Sequence, residues 1–250
     1  MVKLDLATVC KFGVLCALVL LCSCNKENAP DCFKTAGEVQ SETRDLGSFT
    51  KLELNSNLKY ELIDTNFCGI EITGPQNLLP KIDAQLSNGI LKIENVNTCN
   101  FLRSYEHTIT VKLYFDSLTN IQNFSTGSVV SMNELKGSKL VIENKHANGK
   151  IELNLNCDTV YCGSPAGAND SYLYGTVNIA QLYSDAYGII HAEALDAKQV
   201  FINNSSLQPI YAKARLYAFV QIEDAGDVIL HQTPNFYNYV RNGSGELIFE

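Results

Sequence analysis

The chain has 250 residues, with 19 Lys and Arg against 27 Asp and Glu and a net charge of −8. Apolar residues make up 46% and charged residues 18%, so a disordered chain is excluded and a sizeable core is within reach. The acidic balance argues against a nucleic-acid partner, which would demand a basic stripe.

Residues 1–23 read as a signal peptide. Lys3 and Lys11 precede the apolar run Phe12 to Leu21, which is too short for a membrane-spanning helix of about 20 residues but suits a secretory signal. Leu21-Cys22-Ser23-Cys24 looks like a bacterial lipobox, in which the final Cys is lipidated and becomes the first mature residue. Residues 24–45 are then expected to form a lipid-attached tether opening on Asn25-Lys26-Glu27-Asn28-Ala29-Pro30. The membrane partner would be reached through this anchor alone.

Cys10, Cys16 and Cys22 leave with the signal, and Cys24 would carry the lipid. Cys32, Cys68, Cys99, Cys157 and Cys162 remain for an oxidising compartment, where at least one disulfide is expected. Many pairings are open and spacing does not choose among them. Cys157 and Cys162 are the one close pair, and no His lies near them, so no metal is expected.

Residues 46–250 read as a single domain of strands, with 46–115 less regular than 116–250. Lys51–Leu54, Leu58–Ile63, Ile70–Ile72, Ile90–Ile93 and Thr108–Leu113 alternate polar and apolar residues, and Asn88-Gly89 is a hairpin signal. From residue 117 the chain repeats. Apolar centres fall at 121, 142, 162, 184, 202, 222 and 241, a nearly even spacing. Each is followed by a turn and a second apolar pair, beginning at Val129, Ile151, Tyr172, Ile189, Ile210, Val228 and Leu247. Strand, turn, strand and return, seven times over, predict a β-solenoid of about 20 residues per coil rather than a sandwich. The region 46–115 and the segment 245–249 are expected to cap its ends.

At this point the chain resembles the DUF2807 family, the auto-transporter adhesin head GIN domain, over residues 31–250. Asp31-Cys32-Phe33-Lys34, Gly37, Arg44, Phe49–Leu54, Asn77–Ile82, Gly89–Ile93, Cys99–Tyr105 and Gly243-Ser244-Gly245 carry the likeness. Phe101 stands where the family often has Trp, and Ser125-Thr126-Gly127 and Ala147-Asn148-Gly149 replace Gly-Ser-Gly turns. The resemblance implies a right-handed parallel β-helix in a secreted or outer-membrane lipid-anchored protein. It also implies a bridge between Cys32 and Cys99, which on the chain-entropy model contributes about 4 kcal/mol.

Catalytic signatures are missing. Gly163–Gly167 is misspaced for a nucleophile elbow, and Gly149-Lys150 lacks the following Ser or Thr of a phosphate loop. His107, His146, His191 and His231 form no ligand motif. His191 lies three residues after Gly188 and His231 five after Gly226, so they are not expected to stack on neighbouring coils. Glu223, Asp224 and Asp227 around Gly226 read as an ordinary turn. No enzyme activity and no cofactor are therefore expected. Nine of the twelve Tyr lie between Tyr161 and Tyr239, and Tyr172, Tyr174, Tyr183 and Tyr187 are the candidate glycan-contact face. The expectation is an adhesin-like binding module of the cell envelope, taking glycan or protein ligands. The alternatives are a periplasm-facing structural or regulatory lipoprotein and, more remotely, a polysaccharide-active enzyme.

Overall fold

In the computed structural model, which describes residues 35–98 and 108–250, the alternating segments are all strands. The only helical element among these residues is a 3-10 turn at Leu79–Lys81. Five long strands, β10 (Leu135–Ala147), β11 (Lys150–Gly167), β12 (Asp170–Ser184), β13 (Ile190–Asn204) and β14 (Ile210–Ile222), follow one another in the second half. Each lies parallel to the next. Val141 pairs with Tyr161, Tyr161 with Gln181, Gln181 with Phe201, and Phe201 with Phe219. The result is a β-solenoid of about six turns with roughly 20 residues per turn.

Burial shows how each long strand is bent. Ile151, Leu153, Leu155 and Cys157 face inward, then Asp158 and Thr159 both face out, and Val160, Cys162 and Ser164 resume the inward pattern. The same slip recurs at Asn178–Ile179 and Lys198–Gln199. Each coil therefore has a first arm and a second arm on different sides of one core. β8 (Asn120–Asn123) and β9 (Ser128–Ser131) precede the long strands in this stack. β15 (Val228–Leu230), β16 (Phe236–Arg241) and β17 (Leu247–Phe249) extend it.

The registers correct two details of the repeat. One inward row of the second arm runs Ile121, Ile142, Cys162, Leu182, Ile202, Val220 and Tyr239. The expected centres at 184, 222 and 241 belong to the next inward row, two residues along, and a slip of two keeps the same face inward. On the first arm the row is Val129, Ile151, Ser171, Ile190, Ile210, Val228 and Leu247. Tyr172 and Ile189 are thus one residue off, which turns a side chain from the core to the exterior.

The N-terminal part does not stack in chain order. β2 (Lys51–Leu54) lies parallel between β6 (Ile90–Asn95) and β8, and β3 (Lys59–Asp64) between β7 (Thr110–Phe115) and β9. The coil formed by residues 51–64 is therefore held between two later ones. β4 (Gly69–Pro75) pairs antiparallel with β7 and with β1 (Val39–Asp45), while β5 (Ile82–Ser87) pairs antiparallel with β6 and covers its outer edge. Asn88 and Gly89, with φ of 51° and 73°, make the β5–β6 turn, where two positive φ angles match the twist of a hairpin. Residues 39–45, expected to belong to the tether, are instead the ordered strand β1. Its Arg44 Nη1 donates to Ile82 O at 2.6 Å and its Nη2 to Leu79 O at 3.2 Å. The segment 245–249, expected as a cap, contains one more rung, β17 on β15, and Tyr239 on an inward row stays 37% exposed.

The core changes along its length. At the N-terminal end it holds Tyr60, Phe49, Phe115 and many Leu and Ile, with Phe49 and Phe115 meeting edge to face at 6.4 Å. Towards the C-terminus Ala180, Ala192, Ala197, Ala212, Ala214 and Ala218 fill inward positions. The coils shorten there too, with Phe201 pairing with Phe219 and Phe219 with Asn238. A smaller cross-section needs smaller side chains at the same packing density.

Two polar devices hold the corners. Asn123 and Asn144 are fully buried at the inner end of the second arm, with Asn123 Nδ2 donating to Asn144 Oδ1 at 3.0 Å and Asn144 Nδ2 to Ser171 Oγ at 3.0 Å. Asn204 repeats the arrangement: its Nδ2 donates to Gly226 O at 3.0 Å and its Oδ1 accepts from Ser206 N at 3.2 Å. Beside them the turns approach so closely that a Cβ on Gly149 would lie 1.7 Å from Gly127 O, and one on Gly188 2.0 Å from Asn169 O. Glycine is required there by the space between coils.

Gly149→Ala is expected to force two coils apart and to lower stability by about 1–3 kcal/mol, as overpacking does. Asn144→Ala is expected to cost about 1–3 kcal/mol by stranding its buried partners. Urea unfolding followed by far-UV circular dichroism checks both, and unchanged midpoints would refute these roles.

Candidate functional site

The two arms present different exteriors. On the first arm Lys150 and Glu152 form an ion pair at 2.9 Å, and Lys150 Nζ sits 4.6 Å above the Tyr172 ring. The Tyr172 ring stacks on His191 at 4.5 Å and His191 on Tyr211 at 5.2 Å; Tyr211 meets His231 at 6.0 Å, tilted by 39°. This corrects the expectation for the histidines. His191 does stack on neighbouring coils, between Tyr172 and Tyr211, because the registers pair it with both; His231 meets Tyr211 only at a tilt. Glu193 lies 3.4 Å from His191 Nδ1, so this face is charged as well as aromatic.

The second arm carries three outward rows, and their inner coils are uncharged. One row runs Tyr161, Gln181, Phe201, Phe219 and Asn238, and a second runs Gly163, Tyr183, Asn203, Gln221 and Val240. The third, Thr159, Ile179, Gln199, Tyr217 and Phe236, adds no charge either. Between the rings lies a depression of about 330 Å³ floored by the sheet and lined by Tyr161, Tyr183, Phe201, Phe219 and the amides of Gln181, Asn203 and Gln221. Gly163 keeps it open, because Tyr161 lies across that position with its hydroxyl 2.5 Å from where a Cβ would stand. Phe201 and Tyr217 meet edge to face at 5.9 Å, which holds the Phe201 ring in place.

Carboxylates stand at the rim of this face. Burial, and then the charge of Glu143, raises the Tyr161 phenol above its ordinary value; burial and Asp185 do the same for Tyr183. Both phenols thus stay neutral donors at physiological pH. Glu223 is held below the usual carboxylate range by hydrogen bonds from Asn242 and Gln221.

The four expected Tyr do not share one face. Tyr172 and Tyr174 are on the charged first arm, where the Tyr174 hydroxyl donates to Glu152 at 3.4 Å. Tyr183 is on the uncharged second arm, and Tyr187 projects from the turn after β12. Tyr161, Phe201 and Phe219, the companions of Tyr183, are absent from the expected set. Their recurrence at close to one coil length, from Tyr161 through Gln181 to Phe201 and Phe219, was the available signal. Of the turn carboxylates, Asp224 Oδ1 accepts from Ala225 N at 2.8 Å and Asp227 Oδ1 from Glu246 N at 2.8 Å. Asp224 bonds within its own turn, and Asp227 ties that turn to the next coil. Among the described residues no three His, Cys, Asp or Glu side chains converge in a way that could hold a metal ion.

Cys68, Cys157 and Cys162 are free thiols. Cys24, Cys32, Cys99 and His107 lie outside the described residues. Burial pushes the Cys162 thiol up to about 12, with a hydrogen bond to Ser171 opposing; burial and Asp158 push Cys157 up to about 11.

Parallel coils with no edge along their flank, carrying one charged and one uncharged aromatic face, define a surface-presenting solenoid. The chain belongs to the DUF2807 family, described as "Putative auto-transporter adhesin, head GIN domain", which it matches over residues 48–234. It is similar in fold to the crystal structure of a putative adhesin from Bacteroides fragilis, with 20% identity, a TM-score of 0.78, and coverage of 85% of this chain and 97% of that one. A putative adhesin from Parabacteroides distasonis is 14% identical, with a TM-score of 0.66 and coverage of 86% and 98%. A protein of the same species named a putative lipid binding protein is 17% identical, with a TM-score of 0.65 and coverage of 86% and 97%. No curated protein matches.

The two core thiols generate a pH dependence. In an unfolded chain they ionise near 8.5, whereas the folded core keeps them protonated to about 11 and about 12. Above pH about 8.5 the unfolded chain releases protons that the folded one retains, so the thiols' contribution is full below that pH and is lost as pH rises towards 12. The urea midpoint is expected to hold from pH 7 to 8 and to fall above pH 9, less steeply in a Cys157→Ala/Cys162→Ala variant. An equal fall in both proteins would refute the assignment.

Proposed function

We propose that this protein is a lipid-anchored module of the outer membrane that binds ligands without catalysis, in the manner of an adhesin. The observation that carries the reading is the uncharged aromatic and amide face of the second arm. Charged side chains cover a solvated face at little cost, and aromatic rings left half-exposed in register on several successive coils are what a contact surface uses. The family's adhesin description agrees in kind. The Cys24 lipobox supplies the anchor, and a rigid stack of coils holds the face away from the membrane. The carboxylates near the turn after β14 are engaged in closing turns and stacking coils, which argues against acid–base catalysis there.

Protease treatment of intact cells, with a periplasmic protein as control, is expected to shave the domain. Protection in intact cells with cleavage after lysis would overturn surface display and favour a periplasm-facing role. Labelling with a palmitate analogue is expected to mark the wild type and to disappear in Cys24→Ala; persistent labelling would refute the anchor.

A further inference from the structure

We propose that the second-arm face binds neutral oligosaccharides, with sugar rings laid over Tyr161, Tyr183, Phe201 and Phe219 and their hydroxyls met by Gln181 and Asn203. This rests on the reading of the protein as a binding module and names its ligand class.

Four observations decide the chemistry. First, in-register side chains on neighbouring parallel strands repeat about every 4.8 Å, so the row Tyr161, Gln181, Phe201 alternates ring, amide and ring along the stack. A pyranose has the matching character, with an apolar face of C–H groups and hydroxyls around its edge. Second, the depression of about 330 Å³ lies at the small end of ligand sites, roughly 300–1,000 Å³, and is shallow enough for a chain to run across it. Third, the inner coils of the face are uncharged, while Asp185 and Glu223 stand at its rim on a protein of net charge −8, the rim's Glu143 being ion-paired with Lys145 at 3.1 Å. Phosphorylated, sulfated and uronate-containing ligands are repelled there. Fourth, the strands under the face are paired on both sides, so a peptide cannot add itself as a further strand. The amides interrupting the rings also disfavour an acyl chain, which gains only from continuous apolar surface.

The first arm provides the internal control. Its rings Tyr172, His191 and Tyr211 are stacked face to face on one another, so their faces are already occupied and the row is flanked by Lys150, Glu152 and Glu193. Mutation there should leave sugar binding unchanged.

The test uses the purified mature chain on an array of neutral and acidic glycans, followed by calorimetric titration with the neutral oligosaccharide giving the strongest signal. Binding to neutral glycans is expected. A Phe201→Ser/Phe219→Ser variant should lose affinity by roughly tenfold or more, since two ring contacts are removed. Gln181→Ala, which leaves every ring in place, should weaken binding severalfold, and Tyr211→Ser should bind as wild type. Circular dichroism checks that each variant is folded. Binding confined to acidic glycans, no binding to any neutral glycan, or loss of binding in Tyr211→Ser instead of the second-arm variants would each overturn the inference. The array is independent of where the protein sits, so a failure here is separable from a failure of the protease experiment. Adherence of cells that depends on the domain but is insensitive to the Phe201→Ser/Phe219→Ser change would sink the sugar site and leave the binding module.

Discussion

Parallel strands hydrogen-bonded side by side lie about 4.8 Å apart, and this chain applies that spacing to its turns as well as to its strands. The approach of Gly149 to Gly127 O and of Gly188 to Asn169 O is the direct consequence. If the turns needed more room than the strands, the coils would splay and the ladders would break. Glycine at the tight positions and buried amides at the neighbouring ones let backbone and side chain meet the same repeat. Asn123 and Asn204 satisfy turn groups that no strand partner reaches, and Asn144 links Asn123 to Ser171, while the Ser184 hydroxyl in the same row is buried without a partner. The inward apolar rows supply most of the driving force, but the corners decide that the coils stack in one way only.

The same spacing governs the exterior. A side chain facing out on one coil has its nearest neighbours on the coils before and after, so a surface is composed row by row. On the first arm the rows combine rings with Lys, Glu and His, and the rings pack on each other. On the second arm rings alternate with amides and leave their faces open. The difference arises from register and composition within a single backbone geometry, which is why one fold can carry two unlike surfaces.

At the N-terminal end the stack is closed by pairing of another kind. β5 runs antiparallel on β6 and β1 antiparallel on β4, and Arg44 fastens β1 to the carbonyls of Leu79 and Ile82. The coil of residues 51–64 is locked between β6–β7 and β8–β9, which makes the first coils depend on contacts between positions far apart in the chain, as Leu52 and Ile121 are. The bulkiest core side chains, Tyr60, Phe49 and Phe115, belong to this end.

Much of this was determined by the sequence alone. Alternation of period two placed the strands, Asn88-Gly89 placed the hairpin, and the even recurrence of apolar centres implied a solenoid, because these signals are local. Which coil neighbours which was decided only in three dimensions. Hydropathy does not distinguish registers that differ by two residues, so centres at 184, 222 and 241 looked equivalent to 182, 220 and 239. Nothing local announces that residues 51–64 sit between the β6–β7 pair and the β8–β9 pair. The candidate face shows the same division: an excess of Tyr in the second half was plain, but its members lie on two arms and a turn. The bend at Asn178–Ile179 separates Tyr174 from Tyr183 and joins the latter to Tyr161, Phe201 and Phe219. A face is a property of pairing between coils, and pairing is settled by the core and corner contacts that only the folded chain makes.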